Sequence, residues 1–311
     1  VRPAEGGTVG LRGLTGAGAR QTAETYGAAF CGTDLDEALE KPGVEAVLIA
    51  TRHNLHVPQA LAAIEAGKHV LLEKPLALDL EGLRALHRAL AAHPVRLAVG
   101  FNRRHAPLAL HLARLLEGRS GPLHGVYRMN AGRLPRSHWV NDPAVGGGRI
   151  LGEACHVFDW FNFIAGCDPV RVEASRLRSP DPEVVDADNL TATVAYTDGS
   201  LLTLLYSTAG PKQFPKERFE VFAPGFAAEL TDYKELRWQG SESGRRRSRV
   251  EDKGQAGEMR AWEAYLTGRP AAVADFPAAA LSTWLTLRAL ESAREGRALE
   301  VAAALPAALE A

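Results

Sequence analysis

Cysteine is scarce. Cys31, Cys155 and Cys167 are the only three in 311 residues, too few and too scattered for a disulfide framework or a paired-cysteine metal site. They read as packing residues of a chain working in a reducing, cytoplasmic setting. An excess of one charge is missing too, since 36 Lys and Arg stand against 37 Asp and Glu. Such a chain has no overall pull toward nucleic acid or an anionic membrane, which leaves small molecules as the expected partners. No apolar run reaches bilayer-spanning length, and the first residues lack the charged-then-apolar layout of a signal peptide. No spacing supports a metal. The one dense basic run, Arg245, Arg246 and Arg247, lies among Ser and Gly and reads as a solvated loop.

What is present is enough apolar material, 46% of the chain, for two domains with separate cores, expected at 1–103 and 104–311. In the first, short apolar runs at 8–15, 44–51, 69–73 and 97–101 alternate with helical patterns at 19–26, 35–40, 57–66 and 80–91. This alternation predicts a parallel sheet covered by helices, with ligands beyond the carboxyl ends of the strands. After Arg104 the pattern changes to helices at 108–116 and about 152–164, then strands at 170–176, 190–196, 201–207, 218–222, 227–230 and 235–238. Asp198-Gly199 is expected as a two-residue hairpin turn. A large, mostly antiparallel sheet backed by helices is the expected second fold. Leu201, Leu202, Leu204, Leu205 and Tyr206 put apolar groups on both faces of one strand, so a second copy of the chain is expected on the outer face.

Chemistry concentrates at strand ends. The run from Gly67 to Pro75, GKHVLLEKP, is a buried-looking strand that stops in Glu73, Lys74 and a proline. An ammonium at the carboxyl end of a parallel strand faces the ligand position and can stabilise an alkoxide as hydride leaves. The preceding strand ends likewise in Thr51-Arg52-His53-Asn54-Leu55-His56. A second constellation, GGGRILGEACHVFD from Gly146 to Asp159, has glycines opening a helix and puts His156 and Asp159 on one helical face. Histidine is the natural base for a hydroxyl proton near neutral pH.

Residues 44–78 resemble the nucleotide-binding core of the glucose–fructose oxidoreductase/inositol dehydrogenase (Gfo/Idh/MocA) family, whose usual text is AT-x-N-x-x-H followed by AGKHVxxEKP. Arg52 stands where a proline is common. The resemblance implies a Rossmann-type first domain in which Thr51, Asn54 and His56 line the cofactor, with Glu73 and Lys74 under the nicotinamide and substrate. The second run is similar to the family's GGG-x-x-x-D-x-G-x-H-x-x-D, with His156 and Asp159 at its histidine and last aspartate. Gly152 and Ala154 replace its first aspartate and inner glycine. Glu153 is the nearest acid, but one residue along a helix turns it by about 100°. Further likeness at 100–104, 130–132, 138–140 and 216–218 resembles the C-terminal half of two-part dehydrogenase fusions of cell-surface sugar pathways. It makes Arg103, His138 and Trp139 candidate contacts for a sugar or nucleotide-sugar.

A GxGxxG turn is not recognisable. Gly16-Ala17-Gly18-Ala19-Arg20-Gln21 is the nearest approach, and if it is the fingerprint, Asp34 becomes a ribose-binding acid. In the family's register, the strand at 8–15 instead counts second, so the first strand, glycine loop and one helix precede Val1 or are absent. Thr15 then stands where an acid would hold the adenosine ribose. Arg20 lies near, leaving NAD or NADP as cofactor. The expected activity is hydride transfer between nicotinamide and a carbinol carbon of a sugar, nucleotide-sugar or cyclic polyol, using Lys74 and His156. A binding protein or fragment without catalysis is the competing expectation.

Overall fold

The first hundred residues build their strands where β-branched and leucine-rich runs meet turn residues. The computed structural model of the chain describes residues 10–12, 16–180 and 185–310. Among them β1 (Gly10–Arg12), α1 (Gly16–Tyr26), β2 (Phe30–Gly32), α2 (Leu35–Glu40), β3 (Ala46–Ile49), α3 (His56–Glu65), β4 (His69–Leu72), α4 (Leu80–Ala92) and β5 (Leu97–Val99) follow in turn. Asp34 and Asp79 start α2 and α4 by accepting the backbone N–H groups of Asp36 and Gly82, which satisfies donors that the helix cannot. Asp34 thus serves as the cap of α2 through one carboxylate oxygen.

β3, β4 and β5 run parallel, with Ile49 opposite Leu72 and Leu72 opposite Val99, so their carboxyl ends open on one side. β1 pairs only with β2, giving two parallel sheets where the sequence led us to expect one. No described strand covers the outer edge of β3, whose Leu48 is 58% exposed.

The second unit begins with α5 (Pro107–Leu116), whose proline at the first turn fits a position where no N–H is needed. β6 (His124–Asn130) was hidden in a stretch that reads as polar. Its period of two is nevertheless clear, because Gly125, Tyr127 and Met129 are buried while Val126 is exposed. After a short π-helical turn at Ile150–Ala154 come α6 (Cys155–Ala165), β7 (Pro169–Arg176), β8 (Leu190–Tyr196), β9 (Leu201–Ser207), β10 (Glu217–Ala223), β11 (Phe226–Thr231), β12 (Glu235–Gln239) and β13 (Gly244–Arg247). Then follow α7 (Gln255–Leu266), β14 (Ala274–Asp275), α8 (Phe276–Glu295), β15 (Leu299–Glu300) and α9 (Leu305–Glu310). The large sheet has nine strands in the order β13-β12-β11-β10-β6-β9-β8-β7-β15. Every pair is antiparallel except β6 with β9.

Two local expectations change. The β8–β9 loop is one residue longer than a two-residue turn: Tyr196 N–H reaches Ser200 O, and Gly199 at φ 86° absorbs the extra residue. Arg245, Arg246 and Arg247 form an edge strand against β12 instead of a loop, and a row of cations there discourages further strand addition. Cys155 is buried, whereas Cys31, expected to be packing, is exposed.

The inner face of the sheet packs Tyr127, Phe219, Leu202, Leu204 and Tyr206 against Trp160 and Phe161 of α6, all buried, each apolar side chain contributing about 2 kcal/mol. On the opposite face Val126, Leu201, Leu205 and Phe222 stay 41, 42, 41 and 54% exposed. The C-terminal part returns to the first unit, where β14 pairs with β5 and α9 packs on α4. A cut at residue 103 therefore does not separate everything that follows it.

Candidate active site

Lys74 leaves the end of β4 through a cis peptide to Pro75, and its ammonium donates to Gly152 O at 2.9 Å. Gly152 lies in the π-helical turn that enters α6, and His156 follows one turn later. Lys74 thus reaches the turn that precedes the helix carrying His156. Burial, then the Arg103 charge, hold His156 well below the usual histidine range, and it stays neutral at pH 7. Its ring lies edge-on to Phe101, 5.8 Å between centroids. Its Nδ1 is buried with no partner among the described residues.

His53 is the residue the sequence reading passed over. It is buried at the end of β3, and its Nδ1 lies 2.7 Å from Gly146 O. Its ring meets Trp139 edge-on at 4.8 Å. Trp139 in turn stacks with His138 and lies 5.9 Å from the Arg52 guanidinium carbon. Asn54, named in its place, is exposed and contributes only its backbone N–H, to Val145 O. The spacing already held this answer. With Thr51 second and His56 last in AT-x-N-x-x-H, the fourth place falls on His53.

Other predicted residues serve elsewhere. His56 is fully buried, with Nδ1 2.7 Å from Pro75 O and Nε2 3.2 Å from Thr51 O, so it struts the two strand ends together and does not line the site. Thr51 donates to Gln59, and Glu73 sits half-buried under Gly100. Arg103 is not a free sugar contact: its guanidinium grips Glu217 through two bonds of 2.8 and 3.1 Å. Asp159 is likewise fully buried and takes two bonds from Arg104 at 2.5 and 3.0 Å. Glu153 accepts from Tyr206, Lys216 and Arg149. Those donors, led by Lys216, outweigh its burial and hold its carboxyl down at about 2, which makes it a poor base. Thr15 lies outside the described residues.

The donor set at the ends of β3 and β4 fits the reacting end of a nicotinamide cofactor. The turn between β1 and α1, where a phosphate-binding loop would stand, lies outside the described residues. Among the described residues no group of three or more His, Cys, Asp or Glu could hold a metal ion.

Two matching descriptions decide the family. "Oxidoreductase family, NAD-binding Rossmann fold" matches residues 8–101, and "GFO/IDH/MocA C-terminal domain" matches 113–224. The chain belongs to the Gfo/Idh/MocA oxidoreductases. Among relatives of this family, 1,5-anhydro-D-fructose reductase of Ensifer adhaerens is 38% identical over 154 residues, 46% of this chain and 44% of that protein. The chain thus spans about half the length or less of the first curated relatives it matches. In three dimensions it resembles an aldose-aldose oxidoreductase from Caulobacter crescentus, with a TM-score of 0.80 at 22% identity, covering 95% of this chain and 91% of that one. A levoglucosan dehydrogenase in complex with NADH and levoglucosan gives 0.78 at 20%, covering 95% and 90%. At these identities the likeness concerns the fold.

Proposed function

We propose that the chain is an NAD- or NADP-dependent dehydrogenase acting on a CH–OH group of a sugar, nucleotide-sugar or cyclic polyol. The observation that carries this reading is the placement of Lys74 against Gly152 O, one helical turn before His156. An ammonium has three donors, and Gly152 takes one. The others are available to a substrate hydroxyl, whose oxygen gains negative charge as the C–H bond breaks. The neutral His156 ring accepts the hydroxyl proton. When bound, the nicotinamide supplies the hydride acceptor. Trp139 and His138 offer an aromatic flank on which the apolar face of a sugar ring stacks. Relatives named for anhydrofructose, levoglucosan and myo-inositol support a substrate of this class.

The test is turnover of levoglucosan, myo-inositol and 1,5-anhydro-D-glucitol with NAD+ or NADP+, followed by the absorbance of the reduced nicotinamide. Wild-type turnover that disappears in a Lys74→Ala/His156→Ala double variant supports the reading, and substantial activity in that variant defeats it.

A second reading, binding without catalysis, is favoured by the split parallel sheet and by Gly152, which leaves His156 without an orienting acid. Calorimetry separates the two. An intact site binds NADH or NADPH in the micromolar range, about -8 kcal/mol, whereas the alternative gives no heat with either.

The bare apolar face of the nine-stranded sheet supports a second copy of this chain as partner. Sedimentation as a stable monomer counts against it. The absence of charge excess supports neither nucleic acid nor membrane as partner, and among the described residues no helix is long and apolar enough to cross a membrane. The balanced charge and unpaired cysteines support a cytoplasmic setting.

A further inference from the structure

His53, in the turn after β3, and Gly152, in the π-helical turn before α6, fit each other closely. A Cβ built on Gly152 would lie 2.7 Å from His53 Cε1 and 3.7 Å from its Nε2. Contacts under about 3 Å are not tolerated between carbons, so any side chain at 152 would displace the ring. That ring is not a loose end that can swing away. Its Nδ1 is tied to Gly146 O, and its edge rests on Trp139. The carbonyl of the same Gly152 receives the Lys74 ammonium at 2.9 Å. Imidazole and ammonium therefore flank one glycine.

The carbonyl partner fixes the chemistry of the ring. A carbonyl can only accept, so Nδ1 carries the hydrogen and Nε2 keeps its lone pair. Nε2 has no hydrogen-bonding partner among the described residues. Burial, and the Lys74 charge to a smaller extent, hold the ring's pKa down at about 4, so the acceptor persists at neutral pH. Three carboxylates nearby are spent. Glu153 has three donors, Asp159 has Arg104, and Glu217 has Arg103.

We propose that His53 contacts substrate directly, its Nε2 accepting a hydrogen bond from a second hydroxyl of the polyol, next to the one that Lys74 donates to and His156 deprotonates, and that position 152 is side-chain-free to admit the ring. This rests on the dehydrogenase reading of the site and adds a residue to it. An acceptor for a neighbouring hydroxyl distinguishes a polyol from an isosteric analogue without that hydroxyl, because Nε2 would then stay unmatched.

Two amide variants separate this role from simple support. Asn places an amide where Nδ1 is, so His53→Asn keeps the bond to Gly146 O and loses the acceptor. Gln reaches to where Nε2 is, so His53→Gln keeps the acceptor and loses the bond to Gly146. With whichever of levoglucosan and myo-inositol the wild type turns over, kcat/KM in His53→Asn is expected to fall about 100-fold, and His53→Gln to stay within about tenfold. Thermal midpoints are expected in the opposite order. If activity follows stability in both variants, His53 is only a strut and the proposal is overturned.

A second measurement does not need turnover. In the full-length wild-type chain with 15N-labelled histidine, the His53 Nε2 resonance should report an unprotonated nitrogen. It should move toward a hydrogen-bonded one on adding levoglucosan or myo-inositol, with NADH present. A wild type that binds these and shifts Nε2 but never turns them over sinks the dehydrogenase reading and leaves His53 as a ligand contact. A protonated Nε2, or no shift with either polyol, overturns the proposal itself.

Discussion

The junction between the two units and the cleft beside it bury polar groups equally well but treat them differently. At the junction Arg103 and Arg104, neighbours in sequence, each grip one carboxylate through two bonds. Glu217 also receives Lys253 and the Tyr127 hydroxyl. In the cleft, among the described residues, Lys74 ends on a single carbonyl, His156 Nδ1 meets nothing, and His53 keeps Nε2 open. Leaving one buried polar atom unmatched costs about 1–3 kcal/mol. The Arg103–Glu217 and Arg104–Asp159 pairs avoid that cost, His156 accepts it, and the groups left open in the cleft mark a place where a bound molecule supplies partners.

The largest expected break in that contrast is Glu217→Ala. It strands Arg103 and Lys253 in the interior, and denaturant unfolding should show a loss of about 3–5 kcal/mol. Lys74→Ala should do the reverse. Its unfolding midpoint stays near that of the wild type, while kcat/KM falls by about 100- to 1000-fold, as when an oxyanion donor is removed.

Glu258 sharpens the comparison, because it is a junction carboxyl left open. Its Oε1 is buried without a partner among the described residues, and burial, then the Glu73 charge, push its carboxyl up to about 8. A raised carboxyl is neutral in the fold, so the stability it allows is present below the ordinary value of 4.5 and is lost as pH rises toward about 8. Glu258→Gln should therefore unfold at higher denaturant than the wild type near pH 8, with the gap closing toward pH 4.5. An equal gap at both pH values would show that the carboxyl ionises freely in the fold.

The sequence made Lys74 legible because a charged pair and a proline end an apolar strand abruptly, and periodicity alone located most helices and strands. Arg103 and Asp159 were misplaced for one physical reason. Sequence shows that a charge lies near a site but not whether a partner 114 or 55 residues away saturates it. β6 was missed because glycine, arginine and asparagine mask its alternation, which only the core it faces reveals. His53 and Gly152 depart from the family text at places about a hundred residues apart along the chain, and nothing linear shows that the departures touch.

That contact yields the smallest effect and the most specific one. In Gly152→Ala the new methyl meets His53 Cε1 at 2.7 Å, and the ring is anchored on Gly146 O, so relief requires the glycine turn or the π-helical turn to shift. Overpacking of this kind costs about 1–3 kcal/mol. In a His53→Ala background the ring is gone and the same methyl enters open space, so its cost should nearly vanish. The double-mutant cycle should give a coupling of about 1 kcal/mol or more by chemical denaturation. Additive effects would mean that the ring and the glycine do not share one space, and the cleft would then be looser than the junction in packing as well as in hydrogen bonding.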